Sequence, residues 1–282
     1  MKSILVPTDF SDNAYAALLY VSRLYAKETV KVILLHSFED EVSQLSVKLD
    51  LSRSSKSIAT KQEQLENKGN ELIAQIQKDV RTESHLYEMV VTSEPLTKIV
   101  NAMIAENDVD LVAIGSKGRS GIEDVIVGSN TIRLTESIEG CPLFIVPNEI
   151  HFILPTKIAF STDFNEFYPI SKLKPVTRLV RHYRSQIAVV HVGAKSELTE
   201  GQKANYDKFV LDLTEYDAEF HFVSKKGNIS GTLHDFIGNH DIDMVTLVYH
   251  KHAFLKKLFR EPVVNRIGKH KSVPTLIIPV KQ

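Results

Sequence analysis

The strongest constraint on the fold is that the chain repeats itself. Lys157-Ile158-Ala159-Phe160-Ser161-Thr162-Asp163-Phe164 restates Ile4-Leu5-Val6-Pro7-Thr8-Asp9-Phe10, down to a shared Thr-Asp-Phe end. Ile187 to His191 restates Val32 to His36, including the terminal histidine. Asp241 to Leu247 restates Asp108 to Ile114, and Val273 to Pro279 restates Cys141 to Pro147. Echoes in the same order imply one unit built twice, and 282 residues leave room for two domains of ordinary size. The expected domains are 1–148 and 155–282, joined by a linker from Pro147 to Pro155.

Within the first half, Ile4, Leu5 and Val6 form a continuous apolar run, as in a strand buried on both faces, and Pro7-Thr8-Asp9 ends it. Ser11 or Asp12 suits the cap of a helix in which Ala14, Ala17, Leu18, Val21 and Leu24 recur at helical spacing. A second buried run, Val30 to Leu35, completes a βαβ unit with a right-handed crossover. Phe38 to Ser57 reads as a loop with at most a short helical piece. Ile58 to Val80 reads as an exposed helix with a narrow apolar face of Leu65, Leu72, Ile73 and Ile76. Leu86 to Val91 is a third strand, followed by a helix capped by Ser93, with Glu94 and Pro95 in its first turn. Asp110 to Ile114 is a fourth strand, a helix opens at about Gly128 and is broken by Cys141-Pro142, and Leu143 to Val146 is a fifth strand. Such alternation predicts mostly parallel sheets with helices on both faces. The apolar fifth strands, Phe144-Ile145-Val146 and Leu276-Ile277-Ile278, would need a partner and suit a pseudo-twofold pairing of the two domains.

The chemistry concentrates in DLVAIGSKGRSGIEDVIVGSN, Asp110 to Asn130. A buried strand stops at Gly115, Gly118 and Gly121 follow, and Gly128-Ser129 opens a helix. A glycine-rich turn leading into a helix N-terminus is a cradle for phosphate, because backbone N–H groups can approach an anion there. In open parallel sheets ligands bind at the carboxyl ends of the strands, where strand order reverses. If the first and fourth strands are neighbours, the Thr8-Asp9 loop and the glycine loop converge on one crevice. The spacing is neither the Walker A loop nor the dinucleotide fingerprint, since there is no Gly-Lys-Ser/Thr and no G-x-G-x-x-G.

Gly115, two residues, Gly118, nine residues, Gly128-Ser129, together with the PTDFS segment after the first strand and the HS step after the second, resembles the universal stress proteins in their tandem form. The resemblance covers essentially the whole chain, with the nucleotide motif intact only in the first half. It implies two flavodoxin-like (adenine nucleotide alpha hydrolase-like) α/β domains, each a five-stranded parallel sheet of order 3-2-1-4-5. It also implies binding of ATP, AMP or ADP. By matching position, Pro7, Thr8 and Asp9 would line the adenosine end, and Ser37 would meet adenine through its backbone. Ile114 and Gly115 would pack near the ribose, where Asp9 would hydrogen-bond. Gly118, Arg119, Gly128, Ser129 and Asn130 would hold the phosphates, with Arg119 or Lys117 adding charge and Mg2+ or Mn2+ riding on the phosphates. Asp9 equally suits a helix-start role beside Ser11, and Arg119 and Lys117 equally suit solvated positions.

The second half departs from this pattern. Val248-Tyr249-His250-Lys251-His252-Ala253-Phe254 follows its fourth strand, and Glu261-Pro262 falls where Gly128-Ser129 would lie. Bulky side chains would obstruct phosphate and Pro262 lacks an amide donor, so this half is expected not to bind ATP. His250 and His252 lack a nearby carboxylate or cysteine for a metal site, and with Lys251, Lys256, Lys257 and Arg260 they read as a basic face.

Composition narrows the function further. A net charge of −1 argues against a general affinity for nucleic acid or anionic membrane. No apolar run approaches the ~20 residues of a membrane span, and no signal peptide is evident, so the expectation is a cytoplasmic protein. Cys141 is the one cysteine, sits before a proline, and reads as buried rather than nucleophilic. His36 and His191 end strands and read as structural. No carboxylate pair suggests acid–base catalysis, leaving at most slow ATP hydrolysis. The leading expectation is an ATP-binding stress-response module with one site, in the first half; the other is a nucleotide-independent scaffold or interaction protein. Protein partner and homodimerisation stay open.

Overall fold

The computed structural model describes residues 1–39, 51–82, 84–107, 109–117, 127–147, 151–249 and 273–279. The chain divides into two compact units, Met1–Glu149 and Ile150–Gln282.

In the first unit the strands are β1 (Lys2–Pro7), β2 (Val30–Ser37), β3 (His85–Thr92), β4 (Val109–Gly115) and β5 (Leu143–Val146). The helices are α1 (Asp12–Leu24), α2 (Leu51–Val80), α3 (Leu96–Asn107) and α4 (Ser129–Ser137). The sheet order is β3-β2-β1-β4-β5, and each neighbouring pair is parallel. This is the 3-2-1-4-5 order that the resemblance implies. The central strands are apolar along their length because both faces are covered: Ile4, Leu5, Val6, Val32, Leu34, Leu35, Val112 and Ala113 are buried.

The second unit repeats the plan with β6 (Lys157–Ser161), α5 (Lys174–Tyr183), β7 (Gln186–Val192), α6 (Glu200–Asp212), β8 (Ala218–Val223), α7 (Ile229–Asn239), β9 (Met244–Tyr249) and β10 (Thr275–Pro279). Its strands pair in parallel in the order β8-β7-β6-β9-β10.

One shared feature explains why both copies keep an aspartate before the fourth strand's apolar run. In the first unit the register of β1 against β4 shifts between Ser3 and Ile4. The skipped Asp110 turns its carboxylate to the gap, where Oδ2 accepts from Ser3 N at 3.0 Å. In the second unit Asp243 Oδ2 accepts from Thr156 N at 3.1 Å, Thr156 Oγ1 at 2.7 Å and Lys157 N at 3.1 Å.

Three boundaries differ from the sequence reading. α2 starts at Leu51, so the stretch expected as loop through Ser57 is helical from there; residues 40–50 lie outside the described residues. Ser, Arg and Lys are only mildly unfavourable in a helix, and no glycine or proline interrupts the sequence before Gly69. Gly69 lies against Met89, whose side chain would have to move for a Cβ there, with Sδ at 2.4 Å. α3 starts at Leu96 instead of around Ser93, and Pro95 O accepts the first helical bond from Ile99 N. The proline disfavours helical geometry at Glu94, which puts Ser93 and Glu94 outside. α4 ends at Ser137, ahead of Cys141-Pro142, in a turn where Gly140 takes φ +72°.

Candidate functional site

The site lies where the chain leaves the carboxyl ends of β1 and β4, which are neighbours although they are far apart in sequence. Connections from these two strands run in opposite directions along the sheet, so a crevice opens between them.

One lip is the turn after β1. Thr8 N donates to Leu35 O at 2.8 Å, extending the pairing with β2 by one residue. Thr8 Oγ1 accepts from Phe10 N at 3.0 Å, and Asp9 Oδ1 accepts from Ser11 N at 3.0 Å and Ser11 Oγ at 2.5 Å. Ser11 Oγ in turn accepts from Ala14 N at 3.3 Å, making Ser11 the N-cap of α1. Phe10 between them takes φ +60°. His36 Nδ1 lies 2.7 Å from Thr8 O; a carbonyl only accepts, so Nδ1 carries the proton. The imidazole thus ties the end of β2 to the turn.

The other lip is the end of β4. A Cβ on Gly115 would stand 2.7 Å from Asn13 O and 3.0 Å from Asn13 C, so the bare backbone lets the first turn of α1 lie directly on the strand. Ser116 N donates to Val146 O at 2.8 Å, and Gly128 N donates to Ser116 O at 2.7 Å. The chain leaves at Ser116 and returns to the same point at Gly128. Thr131 Oγ1 donates to Gly115 O at 2.9 Å and fixes α4 against the strand. Gly128 is the N-cap of α4 and makes no side-chain cap bond, and Ser129 and Asn130 bring the positive end of the helix dipole to the cleft.

These lips enclose a cleft of about 180 Å³, several times the ~30 Å³ of a water molecule, so it admits an organic group. Of the residues expected from the sequence, Pro7, Thr8, Asp9, Ser37, Ile114, Gly115, Gly128, Ser129 and Asn130 all line it. Gly118 and Arg119 lie outside the described residues. Lys117, two residues past β4, lines the cleft as well. Asp9 lines the cleft and also orients the Ser11 cap, the helix-start role.

Sequence reasoning missed Ala14, Glu39, Leu96 and Thr131 as lining residues. His36 also reaches the cleft while serving the structural role expected of it. Ala14 was legible as a core position of α1. The others reach the cleft from the end of β2, the start of α3 and the first turn of α4, and none carries a local signal.

The second unit builds the same turn. Phe164 takes φ +56°, Phe164 N donates to Thr162 Oγ1 at 3.0 Å, Asn165 N donates to Asp163 Oδ1 at 3.0 Å, and His191 Nδ1 lies 3.1 Å from Thr162 O. His191 is therefore structural too. Val248 stands where the first unit has Gly115, and Tyr168, buried, stands five residues past Asp163 as Ala14 stands five past Asp9. The positions from His250 to Arg260 and Glu261-Pro262 lie outside the described residues.

Cys141 is buried and its Sγ donates to Val109 O at 3.2 Å. Burial, and then the Asp110 carboxylate, push the thiol up to about 12, so it is no nucleophile at neutral pH. Among the described residues no group of three or more His, Cys, Asp or Glu is placed to hold a metal ion. Among them also, no helix is long and apolar enough to cross a membrane.

Comparison with known proteins gives a consistent picture. The family model for the universal stress protein family matches residues 1–147. The universal stress protein MJ0577 of Methanocaldococcus jannaschii is 30% identical over 140 residues, 46% of this chain and 85% of that protein. The crystal structure of a universal stress protein from Archaeoglobus fulgidus matches with a TM-score of 0.69 at 16% identity, covering 98% of this chain and 96% of that one. A functionally unknown Pseudomonas aeruginosa protein, PA1789, matches with a TM-score of 0.56 at 12% identity, covering 99% of this chain and 92% of that one. These structural likenesses are likenesses of fold.

Proposed function

The chain belongs to the universal stress protein family, and from that premise we propose that its first unit binds an adenine nucleotide, ATP foremost, and acts as a stress-response regulatory module. The observation that carries this reading is the meeting, in one cleft, of the Thr8-Asp9 turn, the bare backbone of Gly115 and the uncapped N-terminus of α4. Asp9 and Glu39 place carboxylates on the β1 and β2 side, where a nucleoside offers hydroxyl and amine donors. Lys117 and the first-turn amides of Ser129 and Asn130 place positive charge on the β4 and α4 side, where phosphates would sit. The charge gradient therefore matches a molecule neutral at one end and anionic at the other. A divalent cation would be carried by the phosphates rather than by a protein cage.

The test is direct. Purified protein is denatured and the supernatant examined for released adenine nucleotide; ATP with Mg2+ is then titrated by calorimetry into nucleotide-free protein. The expected result is binding of about one nucleotide per chain. No released nucleotide together with no heat of binding would overturn the reading in favour of a scaffold. Two nucleotides per chain would overturn the assignment of the site to the first unit alone.

A further inference from the structure

Phe10 adjoins the cleft without lining it, and its backbone sits in a conformation that bulky residues avoid. At φ +60° it lies in the left-handed region, an outlier for a large side chain. Two local bonds hold it there, Phe10 N to Thr8 Oγ1 and Ser11 N to Asp9 Oδ1, each 3.0 Å. Both acceptors belong to side chains that line the cleft. The same geometry recurs at Phe164, φ +56°, with the matching pair of bonds, so it is a built feature of this turn.

The Phe10 ring shows what holds the strained backbone in place. It packs against the buried cluster of Phe38, Leu65 and Val91 together with Ile58 and Met89. Its centroid lies 4.7 Å from the His36 ring, and Lys68 of α2 sits over it with Nζ at 4.6 Å. The ring is an anchor driven under α2. Pulling on it keeps the backbone left-handed, and the left-handed residue turns the Thr8 and Asp9 side chains back on themselves.

We infer that Phe10 is a positioning residue for the nucleotide cleft: its ring, clamped beneath α2, holds the turn that presents Thr8 and Asp9. This rests on the nucleotide reading above. It makes α2 a participant in ligand binding, since Leu65 and Lys68 act on Asp9 through Phe10.

The experiment separates backbone conformation from packing, using the full chain, ATP with Mg2+ by calorimetry, and thermal unfolding on the same samples. Phe10→Leu keeps an apolar anchor and is expected to bind ATP within about threefold of wild type. Phe10→Val keeps an apolar side chain, but a β-branched residue resists the left-handed region. It is expected to bind at least about threefold more weakly than Phe10→Leu, because both pay the left-handed penalty and β-branching adds to it. Phe10→Gly loses the anchor yet adopts the turn freely, and is expected to fall between them. Should Phe10→Val fail to unfold cooperatively, Phe10→Ala takes its place, with weaker binding than Phe10→Gly expected. Equal affinity for Leu and Val, or for Ala and Gly, would overturn the inference while leaving nucleotide binding intact. A wild-type chain that binds no ATP would overturn both, and so would be told apart.

Discussion

Replacing Gly115 by alanine tests whether the cleft depends on direct backbone contact. In the extended end of a strand, alanine normally stabilises by about 0.4–1 kcal/mol, because it restricts the unfolded chain. The structure reverses that sign. The added Cβ would stand 2.7 Å from Asn13 O, 3.0 Å from Asn13 C and 3.4 Å from Lys117 O, all backbone atoms, where ordinary contact begins at 3.4 Å. No side chain can rotate away, so either the first turn of α1 lifts or the end of β4 bends. Overpacking of this kind costs about 1–3 kcal/mol. For a unit the size of Met1–Glu149, each kcal/mol lowers Tm by roughly 2–4 °C, so a fall of about 2–12 °C is expected in its transition. Calorimetric unfolding, fitted with separate transitions for the two units, measures the shift, because a two-unit chain cannot be treated as two-state. ATP titration should also show loss of affinity, since Ala14 and Ile114, which flank the displaced groups, line the cleft. Wild-type melting and wild-type binding in Gly115→Ala would refute the argument that α1 is seated on bare β4 backbone.

Three other outcomes follow from the same structure. Gly128→Asp supplies α4 with a better N-cap and should raise stability by a few tenths of a kcal/mol. It should also weaken ATP at least about tenfold by setting a carboxylate against phosphate, so unchanged affinity would remove phosphate from α4. Asp243→Ala strips the acceptor from Thr156 N, Thr156 Oγ1 and Lys157 N and should cost about 2–4 kcal/mol in urea unfolding, a loss under 1 kcal/mol counting against a structural role for the carboxylate. The Cys141 thiol, raised from 9.0 to about 12 by burial and Asp110, should resist alkylation until the chain is unfolded. Above pH 9 the unfolded state releases a proton that the folded state keeps, so its contribution is intact below pH 9 and lost as pH rises toward about 12. Alkaline destabilisation should accordingly be shallower in Cys141→Ala, and an identical slope would show that this thiol does not titrate on unfolding.

What the sequence disclosed and what it hid differ in physical kind. Buried parallel strands are continuous apolar runs, so Ile4–Val6, Val30–Leu35 and Leu143–Val146 announce themselves, and the glycines announce the two backbone-only positions at Gly115 and Gly128. Strand order came from the resemblance to the universal stress proteins, because apolar runs do not say which strands are neighbours. Helix starts were less visible, because Ser, Lys and Arg before Ile58 are compatible with loop and helix alike, and length decided for helix. Glu39 and Leu96 could not be found at all from local pattern. They reach the cleft because β2 and α3 end and begin beside β1, a fact of tertiary neighbourhood that neither residue's sequence context carries.

The two units together separate scaffold from site. The Thr-Asp-Phe turn, the histidine that bonds its carbonyl and the aspartate that accepts from the start of the first strand occur in both, with matching bonds. Their recurrence makes the turn a property of the fold, so the turn by itself does not distinguish a unit that binds a ligand from one that does not. The differences are what bear on the cleft. With Gly115 at the end of β4, α1 starts at Asp12, just past the turn, and lies against the strand. With Val248 at the corresponding place, no helix follows Phe164 until α5 begins at Lys174. Tyr168 is buried in the intervening stretch, close enough to Asp163 and Glu166 that their charges, after burial, raise its hydroxyl above the usual phenol range. Gln202 and Asn205 of α6 bond the carbonyls of Asp163, Phe164 and Asn165, so the segment is tied down in its unwound form. The first unit thus pairs Gly115 with a helix that follows the turn directly and brings Ala14 to the crevice, while the second pairs Val248 with an unwound segment that buries Tyr168.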